Sequence, residues 1–95
     1  MVKLSGYIGL QAAHRIMIDK TNKEEAILHL EKEEDNYANL STKLSDGHWN
    51  NEDIAMIRKL AIKKCKEKLS KYPDIVYNSE SIAKLTNDLL KGLGL

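Results

Sequence analysis

The strongest constraint on this fold is a break between two long helical patterns. Residues 45–51, Ser-Asp-Gly-His-Trp-Asn-Asn, contain a glycine that can take the left-handed conformation at a helix end, followed by two asparagines that can cap the next helix. Amphipathic helical periodicity lies on both sides of this segment. Because helices joined by a short connection usually pack side by side in opposite directions, the sequence predicts an antiparallel helical hairpin whose turn lies at residues 45–51.

Hydrophobic periodicity predicts further helices before and after this hairpin. The predicted helices span about 7–19, 22–44, 52–72 and 80–91, in a single helical domain covering residues 1–95. Ile75 and Val76 are β-branched, but the sequence has no second strand pattern to pair with them, so their segment is interpreted as a packed loop. The expected fold is all-α, with three to four helices built around the antiparallel hairpin.

Capping residues mark the ends of several predicted helices. Thr21 and Glu24 match a capping box at the start of the second helix, in which each side chain accepts a bond from the other residue's amide. Ser5 and Ser79 are candidate N-caps for the first and fourth helices. Gly92 is a candidate for the residue that ends the fourth helix.

The first predicted helix is apolar around most of its circumference. Its polar residues Gln11, His14 and Arg15 form only a narrow strip. The broad apolar face consists of Leu10, Ala12, Ala13, Ile16 and Met17. A helix with so little polar surface must be covered on most sides, either by the hairpin or by another protein molecule.

The composition is that of a small globular domain. The 95 residues are 42% apolar and 31% charged, which suffices for a core, although a chain of this size buries only about 60% of its unfolded surface. The formal net charge is +1, so any attraction to nucleic acid or membranes must come from local patches. Lys outnumbers Arg by 13 to 2, a bias expected of A+T-rich genes such as those of low-GC bacteria, phages and mobile elements.

The cysteine content and the amino-terminal pattern favour the cytoplasm. Cys65 is the only cysteine, which excludes an internal disulfide and fits a reducing compartment. The apolar run near the amino terminus is interrupted by Gln11, His14 and Arg15 before it could form a signal sequence or a membrane span. We therefore expect a cytoplasmic protein without a membrane partner.

The most distinctive charge pattern is the lysine-rich third helix. Its candidate phosphate-contacting residues fall on two stripes at helical spacing, Lys59, Lys63 and Lys66 on one and Lys64, Lys68 and Lys71 on the other. Nucleic-acid recognition also requires base-reading residues or aromatic rings on the same face. No aromatic ring is interleaved with these lysines, and the only arginines are Arg15 and Arg58. Nucleic-acid binding is therefore the alternative function and not the leading one.

The second predicted helix is the acidic counterpart of the third. Its acidic residues are Glu24, Glu25, Glu31, Glu33, Glu34 and Asp35. In a hairpin turning near His48, residues 31–35 would lie opposite about 61–65, where complementary charges set helix pairing although each exposed pair contributes only about 0–1 kcal/mol. This structural role is favoured over phosphate binding. Glu33 and Glu34 also interrupt the apolar stripe, and could present carboxylates to a basic partner.

The sequence contains no pattern typical of catalysis or of a cofactor. The metal-ligand candidates are His14, His29, His48 and Cys65, and none forms a spaced metal-binding motif. His29 does have Glu25 and Glu33 one turn away on either side, an arrangement that is common on solvated helices. Cys65 lies on the apolar arc of its helix, where a buried thiol is unreactive. We expect no enzyme, no metal and no cofactor.

The remaining interpretation is a helical protein–protein interaction module, such as a small adaptor, a chaperone-like binder or an inhibitor, that self-associates. Trp49 in the turn is a candidate anchor, although it could equally fold back over the helix ends. The candidate partner-binding residues are Leu10, Ile16, Met17, Trp49, Leu89, Leu90 and Leu93. A further alternative is an oligomer that holds a small anionic ligand or nucleotide through Tyr7, Arg15 or the lysines.

Overall fold

The computed structural model describes residues 2–20, 24–45, 49–73 and 75–95. The helices are α1 (Val2–Lys20), α2 (Glu24–Ser45), α3 (Asn51–Leu69) and α4 (Ser79–Gly92). No strand occurs in these ranges, which confirms the all-α prediction. The predicted Thr21 capping box falls partly on residues 21–23, outside the described residues.

The central element is α1, which contacts each of the other three helices. It runs antiparallel to α2, since Tyr7 stacks on Tyr37 while His14, further along α1, contacts the earlier Glu33. It runs parallel to α3, since its first turns share a core cluster with Ile57, and its last turns share another with Leu69. Within the described residues, the backbone of α2 contacts α1 and neither α3 nor α4.

The antiparallel hairpin therefore exists, but it consists of α1 and α2. The predicted pairing of α2 with α3 is wrong, because α1 lies between them. The physical reason is the apolar circumference of α1, which has to be covered from more than one side. Residues 46–48 of the predicted turn lie outside the part of the chain that the structure describes.

The core has two clusters along α1, and α4 crosses both. One cluster contains Ala12, Ala13, Ile16, Met17, Cys65, Leu69 and Ile82, and the other contains Leu4, Ile8, Ile57, Ala61 and Leu90. Because Leu4 is packed in the second cluster, α1 begins at Val2, earlier than predicted, and Ser5 is buried inside the helix instead of capping it. Core packing has extended the helix beyond its local capping signal.

Gly9 allows α1 and α3 to approach closely. A Cβ atom at this position would lie 2.5 Å from the Ala61 carbonyl oxygen and 2.6 Å from Lys64 Cβ. At Gly6, one turn earlier, an added Cβ would have no atom within 4 Å. The absence of a side chain at Gly9 is therefore required by the packing of the two helices.

The ends of α3 and α4 follow recognisable capping geometry. Asn50 caps α3 in a capping box with Asp53, which confirms that an asparagine of the turn starts this helix. Asn78, and not the predicted Ser79, caps α4. The left-handed residue that follows α4 is Gly94 (φ +80°), and not the predicted Gly92, which is the last residue of the helix. This end is a Schellman motif, in which the Leu95 amide donates to the Leu90 carbonyl oxygen and the Gly94 amide to that of Lys91.

Residues 75–78 form the predicted packed loop. Ile75 and Tyr77 pack against the first core cluster, whereas Val76 between them is exposed. This segment has no strand pairing in the described residues. The alternation follows from extended backbone, which turns successive side chains to opposite sides.

Candidate functional site

The predicted partner-binding residues divide into buried and half-buried groups. Ile16, Met17 and Leu90 belong to the core and offer no surface to a partner. The half-buried residues are Leu10, Trp49, Leu89 and Leu93. Because the other helices of the same chain cover most of α1, its apolar face does not require a second molecule.

Trp49 folds back onto the molecule. Its ring packs against the second core cluster, as do Leu44, Leu93 and Leu95. The indole nitrogen Nε1 is buried and has no hydrogen-bond partner among the described residues. Trp49 therefore covers the end of the core, which is the structural alternative considered for it from the sequence.

A polar seam joins α1 to α2 at His14. The ring is buried, its Nδ1 donates to the Leu10 carbonyl oxygen at 2.7 Å, and its Nε2 lies 2.5 Å from Glu33 Oε2. The second carboxylate oxygen of Glu33 lies 3.1 Å from His29 Nε2. The His14 hydrogen bond lowers the pKa of Glu33 against a smaller opposing effect of burial, and the charges of His14, His29 and Lys68 lower it further.

Glu34 has the opposite environment on the same seam. Burial raises the pKa of Glu34, and this effect outweighs the Arg15 guanidinium, whose Nε is 3.8 Å from the carboxylate. Gln11 also bonds to this carboxylate. Glu33 and Glu34 therefore both contact α1, and their side chains are 41% and 17% exposed.

The two adjacent glutamates are expected to respond oppositely to neutralisation. At about pH 7, Glu33→Gln should lower the stability by about 1 kcal/mol, because it weakens a charged hydrogen bond to buried His14, while the 41% exposure of Glu33 limits the effect. Glu34→Gln should leave the stability unchanged or raise it, because it removes a carboxylate that burial disfavours. Urea unfolding of both variants, followed by circular dichroism, measures the contrast.

The pH dependence follows from the signs of the two shifts. Because the pKa of Glu33 is lower in the folded protein than in the unfolded chain, the ionised carboxylate stabilises the fold above the unfolded-state pKa. This stabilisation is lost as pH falls through the folded-state pKa, so the stability defect of Glu33→Gln should shrink toward about pH 4. The raised pKa of Glu34 means that its protonated form stabilises the fold at low pH, and this stabilisation is lost as pH rises through the folded-state pKa. Equal unfolding curves for both variants at every pH would contradict this account of the seam.

The six lysines predicted to contact phosphate are largely uncovered. Lys59, Lys63 and Lys64 are exposed on α3, as is Lys71 just beyond its end, and Lys66 and Lys68 are half-buried. Lys68 lies 5.9 Å from the centre of the Tyr72 ring. The ion pairs found in the described residues are His14–Glu33, Arg15–Glu34 and His29–Glu33, and none includes a lysine of α3. The predicted charge pairing between 31–35 and 61–65 is therefore wrong, and most of the positive charge of α3 faces solvent.

Apolar residues are interleaved with these cations. We define the α3 outer face as Ala55, Met56, Arg58, Lys59, Ile62, Lys63 and Lys66. Four of these follow one helical stripe with the spacing i, i+4, i+7, i+11, namely Ala55, Lys59, Ile62 and Lys66. Met56 is 45% exposed, and Ile62 lines a shallow groove with Ala55, Arg58 and Lys59. The α3 outer face thus combines exposed apolar contact area with positive charge.

Cys65 and the residues proposed for an anionic ligand, Tyr7 and Arg15, all make contacts within the molecule. Burial raises the pKa of the Cys65 thiol to about 11, and no part of its side chain is accessible. Tyr7 stacks on Tyr37, and Arg15 faces Glu34, so both residues proposed for an anionic ligand have partners within the molecule.

Among the described residues, no three histidine, cysteine or acidic side chains converge as metal ligands. None of the described helices is both long and apolar enough to span a membrane.

The chain matches no protein-family model, no curated protein and no solved structure. What the protein binds must therefore be inferred from the surfaces described above.

Proposed function

We propose that this protein is a non-catalytic interaction module that binds an acidic protein partner through the α3 outer face. The observation that carries the proposal is the position of α1, which keeps acidic α2 away from α3 and leaves the face uncovered. An amphipathic helix of a partner could lie along this face, burying apolar side chains against Met56 and Ile62. Its acidic residues would then meet the flanking lysines.

The second candidate is binding of nucleic acid by the same lysines. It is favoured by the absence of ion pairs to the α3 lysines in the described residues. Against it, the α3 outer face contains methionine, isoleucine and alanine where stacking aromatics would be expected. Apolar side chains between the cations are better suited to a protein helix.

Defined probes separate the two functions. We would measure fluorescence anisotropy with a synthetic acidic amphipathic helix, a scrambled peptide of the same composition, a DNA duplex and a single-stranded RNA. The interaction module is expected to bind the amphipathic peptide at least about tenfold more tightly than the scramble, a difference of ~1.4 kcal/mol. Nucleic-acid binding instead predicts a preference for DNA or RNA, with affinity falling by roughly 0.9 log units per log unit of salt for each duplex phosphate contacted.

Matched charge reversals locate the site. The test variant carries Arg58→Glu, Lys59→Glu and Lys63→Glu on the α3 outer face. The control variant makes the same net-charge change at Lys43, Lys84 and Lys91, which are exposed on α2 and α4. We expect the test variant to lose about tenfold or more in peptide affinity and the control about threefold or less. Equal binding of amphipathic and scrambled peptides, or equal losses in both variants, would contradict the proposal.

A further inference from the structure

We infer that the acidic partner of the α3 outer face is a second copy of this chain, contributing the outer face of its α2. This inference rests on the proposed function and names its partner. We define the α2 outer face as Leu28, Glu31 and Asp35, which are all exposed. Leu28 is 68% exposed, the most accessible leucine among the exposed large apolar residues of the described chain.

The two helices carry opposite net charges. The segment of α2 contains six acidic and two basic residues, and that of α3 contains six basic and three acidic residues. Two of the acidic residues of α3, Glu52 and Asp53, lie in its first turn, so the rest of the helix is more basic than its total indicates. Neither Glu31 nor Asp35 forms an ion pair within the described residues. The charges of Glu31 and Asp35 are therefore available for contacts between copies.

The spacing of the two faces also matches. Leu28, Glu31 and Asp35 stand at i, i+3 and i+7, and so do Met56, Lys59 and Lys63 on α3. Parallel alignment of the two helices sets leucine against methionine and each carboxylate against a lysine. Lys32 adjoins the acidic residues and lies near Leu60 in this register, so it does not oppose a lysine of α3 directly.

The contact is small, and it joins two different faces of neighbouring copies. The eight residues from Leu28 to Asp35 span about 10 Å of helix, which places the interface in the weak class below about 1,200 Å² of buried surface. Because α2 and α3 pack on different sides of α1, one copy would use its two faces with two different neighbours. Such head-to-tail contacts produce rings or open chains, so association should continue beyond a dimer as concentration rises.

Sedimentation equilibrium of the full chain tests this inference. The average mass is expected to rise between about 10 μM and 1 mM protein, and the rise should be weaker at high salt, since the Debye length falls from about 20 Å near 20 mM salt to about 4 Å near 500 mM. The basic-face variant Lys59→Glu/Lys63→Glu and the acidic-face variant Glu31→Lys/Asp35→Lys should each remain monomeric. Mixing them should restore association, because the reversed α3 face of one variant complements the reversed α2 face of the other, and their unchanged faces also complement each other.

A matched variant controls for net charge. Lys84→Glu/Lys91→Glu makes the same charge change on α4 but keeps both faces, so it should associate by itself as the wild type does. A wild-type protein that stays monomeric, or one whose association survives both reversals, would overturn the inference. A monomeric protein that still binds the acidic amphipathic peptide would leave the proposed function standing, whereas failure of both assays would remove both.

Discussion

Replacing Gly9 by alanine is expected to destabilise the protein by about 1–3 kcal/mol, whereas the same change at Gly6 should stabilise it by about 0.5–1 kcal/mol. Both residues lie inside α1. Alanine at either position restricts the unfolded chain and favours the helix. At Gly9, however, the added methyl would be 2.5 Å from the Ala61 carbonyl oxygen, which belongs to the backbone and cannot rotate away. The two helices would have to separate.

Chemical denaturation of the two variants beside the wild type measures this contrast. Gly6→Ala is the control for Gly9→Ala, because the higher helix propensity of alanine alone would stabilise both variants. A larger residue at Gly9, such as valine, should increase the defect. Equal stabilisation by Gly9→Ala and Gly6→Ala would show that α1 and α3 do not approach this closely in solution.

Cys65 is expected to react far more slowly with a thiol reagent in the native protein than in the unfolded chain. A pKa raised from 9.0 to about 11 alone reduces the thiolate about 100-fold at neutral pH, and burial of the side chain slows the reaction further. The rate of reaction with a chromogenic disulfide, with and without about 6 M urea, gives the ratio directly. Because the chain has one cysteine, the signal has a single source.

A surface cysteine provides the control for this experiment. Asn39 is exposed on α2, so Asn39→Cys in a Cys65→Ala background should react at nearly the same rate with and without urea. The raised pKa also implies that the stability contributed by the neutral thiol is present below pH 9.0 and is lost as pH rises toward about 11. Rapid labelling of native Cys65 would contradict its position in the core.

The elements of the fold could be predicted from the sequence, but their pairing could not. Charge complementarity suggested that α2 lies against α3, yet exposed ion pairs contribute at most about 1 kcal/mol each. Burying one large aliphatic side chain contributes about 1.5–3 kcal/mol. The apolar residues of α1, such as Ile8 and Ile16, therefore decide the arrangement, and α1 takes the central position.

One sequence pattern did contain the correct pairing. The polar strip of α1 includes His14 and Arg15, and the apolar stripe of α2 is interrupted at Glu33 and Glu34. In the structure these interruptions face each other, as a histidine–carboxylate contact and an arginine–carboxylate contact. Matching polar interruptions between helices would have placed α2 on α1. The close approach at Gly9 has no comparable signal, because glycine in a helix also occurs as a simple weak point.

The backbone of α2 contacts that of α1 and of no other described helix, which has a consequence for the local stability of the molecule. Detaching α2 would break its interface with α1 and the packing of Leu30 and Leu44 against the core clusters, but would leave the contacts of α1 with α3 and α4 in place. A helix held by few interfaces can detach at a lower free energy than that of unfolding the whole domain. We therefore expect α2 to be able to detach without unfolding of the whole domain. The opening that releases it would transfer the buried His14 ring to water.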